Sequence, residues 1–143
     1  MEFTVQEIIS KCRKYPARRV VLTGGEPLLQ VDRELVDKLH DAGFVIHVET
    51  NGTLPVPQGI DWVTCSPKDR EPEINTDCVD EVKIVYTGQS ESELENIRNR
   101  FVSTKLFYLQ PCSCKNTAET VAQVLKLKDW RLSLQTHKLI NIP

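Results

Sequence analysis

The fold is decided by the stretch RVVLTGGEP, which runs from Arg19 to Pro27. Its first five residues are mostly apolar and β-branched, a pattern typical of a strand buried on both faces of a parallel sheet. Gly24 and Gly25 then end the strand and leave Glu26 as a carboxylate directly after it. A buried strand that ends in glycines and an acid indicates a sheet whose polar ends can approach a ligand closely.

Helices are predicted on both sides of this strand. Thr4 can cap a first helix that runs to about Lys14, because Glu7 stands three residues later and completes a capping box. A second helix is expected over 32–42, with Gly43 in the usual position just past its end. Two helices on either side of one strand favour an alternating α/β arrangement.

The rest of the chain continues this alternation. Further strands are predicted over 44–49, 62–65, 81–86, 105–109 and 131–134, further helices over about 90–100 and 117–127, and an irregular polar loop over 70–77. The side chains expected to face inward are Leu35, Val36 and Leu39 in the second helix and Val121, Val124 and Leu125 in the last. Alternation implies parallel strands joined by right-handed crossovers, hence a doubly wound sheet or part of a barrel. A complete eight-stranded barrel needs roughly 200 residues or more, so 143 residues fit a single domain that falls short of one.

Composition narrows the class of protein. The formal net charge is −2, from 18 basic and 20 acidic residues mixed along the chain, which gives no basic patch for nucleic acid. No stretch approaches the ~20 apolar residues of a membrane span, so we expect a cytoplasmic protein with a small-molecule partner. The five cysteines are an odd number at low density, and reduced thiols are therefore expected.

Polar and turn-forming segments fall at the predicted carboxyl ends of the strands. They are Thr23 to Pro27, Glu49 to Gly52, Ser66-Pro67-Lys68, Gln110-Pro111 and Gln135-Thr136-His137. In parallel α/β folds these ends meet at one rim, where ligands bind. Carboxylates and a lysine at such a rim suit a zwitterionic ligand that carries an ammonium and a carboxylate group.

Each of these segments also has a simpler explanation. Gly-Gly-Glu-Pro alone is more often a plain turn, Asn51-Gly52 is a standard tight-turn pair, and Ser66 to Lys68 would usually be a solvated loop. Turns alone, however, do not predict that acids, lysine and glutamine recur at strand ends on one rim. We therefore interpret the set as a binding site.

The order of these motifs resembles a known family. TGGEP after an apolar strand is similar to a signature of radical S-adenosylmethionine (SAM) enzymes, and TGGEP, ETNGT, SPK, DEVK, LQP and WRLSLQTHK together resemble the 7-carboxy-7-deazaguanine synthases. The resemblance runs from Arg19 to Pro143 and matches the C-terminal two-thirds of such an enzyme. It implies an α/β partial TIM-like barrel of the radical-SAM type, forming one domain over 1–143 that lacks the family's first strand and cluster loop.

The resemblance also implies which residues bind the cofactor SAM and the substrate. Those implied for the cofactor are Gly25 and Glu26 at its methionyl amino group, Ser66, Pro67 and Lys68 around its carboxylate and ribose, Gln110 and Pro111 at its adenosyl part, and Glu49 and Asn51 along the same pocket. Those implied for the substrate are Thr23, His137 and the terminal carboxylate of Pro143. The implied reaction is radical ring contraction of 6-carboxy-5,6,7,8-tetrahydropterin to 7-carboxy-7-deazaguanine, with a 4Fe-4S cluster and Mg²⁺ in the full-length enzyme. A homodimer and an electron donor such as flavodoxin are further expected partners.

One departure from the family pattern is large. Radical-SAM enzymes hold their cluster on CxxxCxxC or a close variant, because three thiolates leave one iron free for SAM. This chain has isolated Cys12, Cys65 and Cys78 and a single pair, Cys112 and Cys114, so no catalytic or metal-ligating residue is nominated. The pair is expected to be structural, since C-x-C needs further ligands to bind a metal.

Two other functions stay open at this stage. The chain resembles, less closely, an activating enzyme that installs a glycyl radical on a partner protein, and it could also be an inactive nucleoside-binding fragment. His40 and His47 are expected to have structural or solvated roles, and Trp62 and Trp130 are expected in the core.

Overall fold

A wholly parallel sheet of six strands organises the protein. The computed structural model describes residues 3–68, 74–76 and 78–142. The strands are β1 (Arg19–Leu22), β2 (Val45–Thr50), β3 (Trp62–Cys65), β4 (Glu81–Tyr86), β5 (Leu106–Pro111) and β6 (Trp130–Leu132). The helices are α1 (Val5–Cys12), α2 (Arg33–Asp41), α3 (Glu91–Arg100), α4 (Thr117–Val124) and α5 (Thr136–Leu139), with short 3₁₀ turns at Pro27–Leu29 and Cys112–Cys114.

The strands lie side by side in the order of the chain, from β1 at one edge to β6 at the other. All five neighbouring pairs are parallel. Each connection therefore moves one strand in the same direction, and right-handed crossovers then gather the helices on one face of the sheet. This is the topology of a barrel segment and excludes a doubly wound sheet, in which the strand order reverses part-way. The prediction of a partial α/β barrel is confirmed.

Local signals in the sequence set the helix starts. Thr4 and Glu7 form both halves of the predicted capping box, and the Glu7 Oε2 atom lies 2.8 Å from the Thr4 amide nitrogen. Asp32 caps α2 by accepting a 2.8 Å hydrogen bond from the Leu35 amide. Gly43 follows α2 with φ +82°, a left-handed conformation that glycine adopts without strain.

The core lies between the sheet and the helices in two clusters. One packs α2 and α1 against β2, with Val36, Leu39 and Ile46 buried. The other packs α3 against β3 to β6 and includes Leu94 and Leu109. Leu35, Val36 and Leu39 are buried as predicted, and they pack α2 against the sheet. The strands are thus held from one face, which leaves the other face available for polar side chains.

Three sequence predictions differ from the structure. α4 ends at Val124, and Leu125 is 82% exposed instead of facing inward. The buried positions of α4 are Thr120 and Gln123, and at 3.6 residues per turn Leu125 lies about 140° around the helix from Thr120. Trp62 is only half-buried, because it lies on the open face of the sheet and stacks on His47 at 5.9 Å, whereas Trp130 is buried as expected.

The ends of two elements also shift. β6 spans Trp130–Leu132, so it begins one residue and ends two residues earlier than predicted. The chain then forms the short helix α5, which the sequence did not indicate. α1 ends at Cys12, earlier than Lys14. The predicted loop over 70–77 lies largely outside the described residues. Among the helices that the structure describes, none has the length and apolar character needed to cross a membrane.

Candidate functional site

A cavity of about 210 Å³ opens at the carboxyl ends of the strands. We call it the rim cavity, and its lining residues are Thr23, Gly25, Glu49, Thr50, Asn51, Ser66, Lys68, Lys83, Val85, Gln110 and Gln135. These residues come from the ends of all six strands or from the loops that directly follow them. The sequence prediction that polar strand ends meet at one rim is therefore matched by the positions of these side chains.

Glu26 anchors the wall of the rim cavity instead of lining it. Its Oε1 atom accepts hydrogen bonds from the Thr50 hydroxyl at 2.7 Å and from the Leu28 amide at 3.1 Å. Its Oε2 atom accepts a 2.7 Å hydrogen bond from the Asn51 amide. The carboxylate thus ties the turn after β1 to the turn after β2, and both carboxylate oxygens are engaged by the protein.

The turn that carries Asn51 is held tightly. The Asn51 Oδ1 atom accepts hydrogen bonds from the Thr53 amide at 2.9 Å and from the Thr53 hydroxyl at 2.7 Å. Gly52 has φ +87°, and a Cβ atom at this position would lie 2.6 Å from the Cys65 sulfur. Only glycine satisfies both the backbone angle and the close packing, so a side chain at this position would disturb the turn.

Ser66 joins three strands at the floor of the rim cavity. Its amide donates a 2.7 Å hydrogen bond to the Thr50 carbonyl, and its hydroxyl donates a 2.8 Å hydrogen bond to the Lys83 carbonyl. The hydroxyl oxygen keeps lone pairs that can accept a hydrogen bond from a ligand.

An ion pair crosses the rim cavity and was not nominated from the sequence. The Lys83 ammonium lies 2.9 Å from the Glu49 Oε1 atom, with Lys83 15% and Glu49 40% exposed. The signal was present in β4, where Lys83 alternates with the core residues Val82 and Ile84 and so must face the other side of the sheet. Nearby, burial raises the pKa of the Glu81 carboxyl, Lys83 partly opposes that effect, and Glu49 adds to it.

A second cavity of about 390 Å³ adjoins the rim cavity. We call it the lateral cavity, and it is lined by Pro67, Lys68, Ile84, Val85, Thr87, Gln89 and Ile97. Lys68 and Val85 line both cavities. Gln89 is fixed at its wall, because it accepts a 2.8 Å hydrogen bond from the Thr87 amide and donates one at 3.1 Å to the Val85 carbonyl. The two cavities together offer a charged end and a more apolar end to one elongated ligand.

Among the nominated residues that the structure describes, Pro111 and His137 line neither cavity. Pro111 is buried at the end of β5, where it supports the rim from below. His137 is exposed on α5, and Pro143 lies outside the described residues. Leu139, Ile140 and Ile142, which follow His137, are also exposed.

The cysteines are dispersed. Cys65 is buried, and burial raises the pKa of its thiol to about 12, which makes it a poor nucleophile and metal ligand. Cys112 is exposed, and the turn that follows it holds Ser113 at φ +48° and Cys114 at φ +62°. Over residues 3–68, 74–76 and 78–142, no three Cys, His, Asp or Glu side chains are grouped so that they could hold a metal ion.

His40 and His47 each contact a neighbouring side chain of the protein. His40 Nε2 lies 2.9 Å from Asp61 Oδ2, and the same Asp61 oxygen accepts a 2.7 Å hydrogen bond from the Ile46 amide. His47 stacks on Trp62 on the open face of the sheet. Neither histidine lines the rim cavity.

Comparison with known proteins gives close relatives. The chain is 53% identical over 139 residues to a 7-carboxy-7-deazaguanine synthase of Bacteroides thetaiotaomicron, an alignment that covers 97% of this chain and 73% of the relative. It is 44% identical over 135 residues to a protein of the same name from Bordetella pertussis, covering 91% of this chain and 62% of the relative. No family model matches the chain.

A solved structure has the same fold. The crystal structure of QueE from Escherichia coli superposes with a TM-score of 0.69 at 25% sequence identity. The superposition covers 93% of this chain and 64% of QueE. The chain thus spans roughly two thirds of the length of the proteins it matches.

Proposed function

The chain belongs to the family of 7-carboxy-7-deazaguanine synthases, and from that premise we propose that it supplies the SAM-binding and substrate-binding part of a radical-SAM enzyme. The proposed reaction is ring contraction of 6-carboxy-5,6,7,8-tetrahydropterin to 7-carboxy-7-deazaguanine. The observation that carries the proposal is the rim cavity, in which Glu49, Lys68 and Lys83 meet at the carboxyl ends of parallel strands.

The two adjoining cavities fit SAM in size and in character. Ligand sites commonly occupy about 300–1,000 Å³, and the rim and lateral cavities fall within this range when taken together. The charged methionyl end suits the rim cavity, where Lys68 can meet its carboxylate. The flat adenine suits the lateral cavity, where Ile84 and Ile97 provide apolar contact.

The other nominated residues have distinct roles in this proposal. Gly25, Asn51 and Gln110 line the rim cavity, and in this proposal Gly25 and Asn51 contact the methionyl end of SAM and Gln110 its adenosyl part. Glu26 acts through the turns that it fixes, since both of its oxygens are already engaged. Thr23 and the carboxylate of Pro143 are proposed for the pterin.

The residues of this chain do not fit the iron-sulfur cluster of the family. SAM supplies an organic radical when a reduced cluster cleaves it, but the cysteine spacings of this chain do not fit a 4Fe-4S cluster. We therefore derive no step of the reaction through a cluster held here. Mg²⁺, a flavodoxin-type electron donor, a homodimer and a cytoplasmic location accompany the family assignment as further proposals.

Calorimetric titration of SAM into the protein tests the proposed function. We expect Lys68→Ala to weaken SAM binding about tenfold, because a hydrogen bond to a charged group is worth about 1.5–3 kcal/mol. Lys126→Ala is the matched control, since Lys126 is an exposed lysine on the loop that precedes β6, at the opposite end of the sheet. Equal SAM affinity in the two variants would show that the rim cavity does not bind the cofactor.

The more apolar lateral cavity, lined in part by Ile84, Val85 and Ile97, supports one alternative function, a nucleoside-binding module without radical chemistry. The same titration, repeated with adenosine and with SAM, distinguishes the radical-SAM function from the nucleoside-binding module. Adenosine binding as tight as SAM binding would favour the nucleoside module, because that ligand lacks the charged methionyl end.

A further inference from the structure

Lys83 is one of the charged residues of the rim cavity, but the functional assignment given above pairs it with no part of the ligand. We propose that Lys83 is a positioning residue, whose ammonium fixes the Glu49 carboxylate at the cavity wall and offsets its charge, so that the cavity accepts a ligand bearing its own carboxylate. The identity of that ligand rests on the proposed function, whereas the fixing of Glu49 does not.

The burial of Lys83 shows why it must have a partner. Val82 and Ile84 point into the core, which places Lys83 on the opposite face of β4, where it is only 15% exposed. A lysine buried to this degree is rare unless it is paired, because the ammonium loses most of its hydration. Glu49, at 2.9 Å, is the partner that compensates for this loss.

The geometry of the pair leaves one carboxylate oxygen for a ligand. Glu49 Oε1 faces Lys83, and Oε2 makes no hydrogen bond within the part of the chain that the structure describes. Glu49 is the more exposed member of the pair, at 40%, and it lines the rim cavity. A carboxylate held at one oxygen presents the other in a fixed direction, which suits recognition of an N–H or O–H donor.

Lys83 also holds a second residue of the cavity. Its backbone carbonyl accepts the 2.8 Å hydrogen bond from the Ser66 hydroxyl. The strand itself is fixed on its other side by parallel pairing with β5, where Lys83 lies opposite Tyr108. One residue thus orients Glu49 through its side chain and Ser66 through its backbone.

The charge of Lys83 matters because the ligand is anionic. Without Lys83, the carboxylate of Glu49 would face an incoming carboxylate with Lys68 as the only cation among the described lining residues of the rim cavity. Two carboxylates that share a partly desolvated site repel each other. Removal of Lys83 should therefore penalise carboxylated ligands more than neutral ones.

The first experiment needs no ligand. Side-chain ¹³C relaxation of Glu49 is measured by nuclear magnetic resonance in the wild-type protein and in the Lys83→Met and Lys83→Arg variants. We expect a lower Glu49 order parameter in Lys83→Met, because the methionine keeps the packing and loses the charge, and a largely retained one in Lys83→Arg. A Glu49 side chain equally ordered in wild type and Lys83→Met would overturn the proposal, whatever the protein binds.

The second experiment uses two fluorescent probes, 6-carboxypterin and unsubstituted pterin. Lys83→Met should weaken 6-carboxypterin binding about tenfold, because the cavity loses one positive charge beside the ligand carboxylate, and change pterin binding far less, with Lys83→Arg restoring most of the loss. Equal losses for both probes would contradict the charge-offsetting role. If the wild-type protein binds neither probe, the proposed pterin substrate fails, and the Glu49 order parameter still decides the role of Lys83.

Discussion

At the scale of single residues, two charged side chains, Glu26 and Lys83, organise the wall of the rim cavity through bonds to the protein itself. Glu26 follows its strand where an acid was expected, yet both of its oxygens hold backbone and hydroxyl groups of the protein. Lys83 was hidden in a run of strand residues, and its pairing with Glu49 depends on a residue 34 positions away. Sequence patterns report where a strand ends, whereas the partner of a long side chain is set by the register of strands distant in sequence.

Asp61 gives a pH-dependent prediction at this scale. The Ile46 amide and then His40 hold the pKa of Asp61 below its ordinary value of 3.8. A carboxyl whose pKa is lowered in the folded state adds stability above its unfolded pKa and loses that contribution as the pH falls through the folded value. We therefore expect Asp61→Asn to lower the free energy of unfolding at pH 6, and the difference from wild type to shrink as the pH falls below about 3.8.

Urea unfolding at several pH values measures this difference. Asp41→Asn is the control for the loss of one negative charge, because Asp41 lies at the exposed end of α2. A difference between wild type and Asp61→Asn that stays constant from pH 6 to pH 3 would show that the carboxylate form of Asp61 does not contribute to stability.

At the scale of helices and strands, local signals were sufficient for most of the fold. The capping boxes at Thr4 and Ser90 and the aspartate cap at Asp32 each mark the first residue of a helix, because they satisfy amides that a helix leaves open. The last turn of α4 was overextended, since Leu125 continues the apolar composition but not the buried face. Composition alone cannot distinguish an apolar residue on the buried face of a helix from an exposed apolar residue just beyond its end, because the buried face depends on where the sheet lies.

The turn after β2 depends on the glycine at position 52. We expect Gly52→Ala to destabilise the protein by about 2–4 kcal/mol, because it adds the strain of a positive φ to the overpacking of a Cβ atom against Cys65 and Ile74. Gly88→Ala is the matched control, with φ +95° and nothing within 4 Å of the added atom, and it should cost only about 1 kcal/mol. Chemical denaturation of both variants measures the two losses, and equal values would mean that the contact with Cys65 is relieved without cost.

At the scale of the whole molecule, the described part of the partial barrel contains the two cavities proposed for ligand binding but no group of side chains that could hold a metal ion. The described sheet has two edges, at β1 and β6, and both cavities lie at its carboxyl end. The ordered set of motifs in the sequence indicated this arrangement, because parallel strands bring their ends together whatever their spacing along the chain. The sequence could not indicate that the lateral cavity would open beside the rim cavity, since its walls come from α3 and β4 together.

The cysteine spacing gives the prediction at this scale. We expect the 143-residue protein, incubated with iron and sulfide under reducing anaerobic conditions, to gain no visible absorption of a 4Fe-4S cluster and to form no deoxyadenosine from SAM. The physical reason is that a site for such a cluster needs three converging thiolates, and Cys65 is kept protonated by a pKa of about 12. Stoichiometric iron in the protein would contradict this, and loss of that iron in Cys112→Ser would then identify the 112–114 turn as the ligand.

The order of the strands has a consequence for how the protein is made. Since β2 pairs with β1, β3 with β2, and so on to β6, each strand emerges from the ribosome after the neighbour with which it pairs. Within the described sheet, no strand has to wait for a partner that is translated much later, and each new pairing closes only the crossover segment between neighbouring strands. The sheet can therefore grow by one strand at a time during synthesis, with its newest edge always at the carboxyl side of the chain.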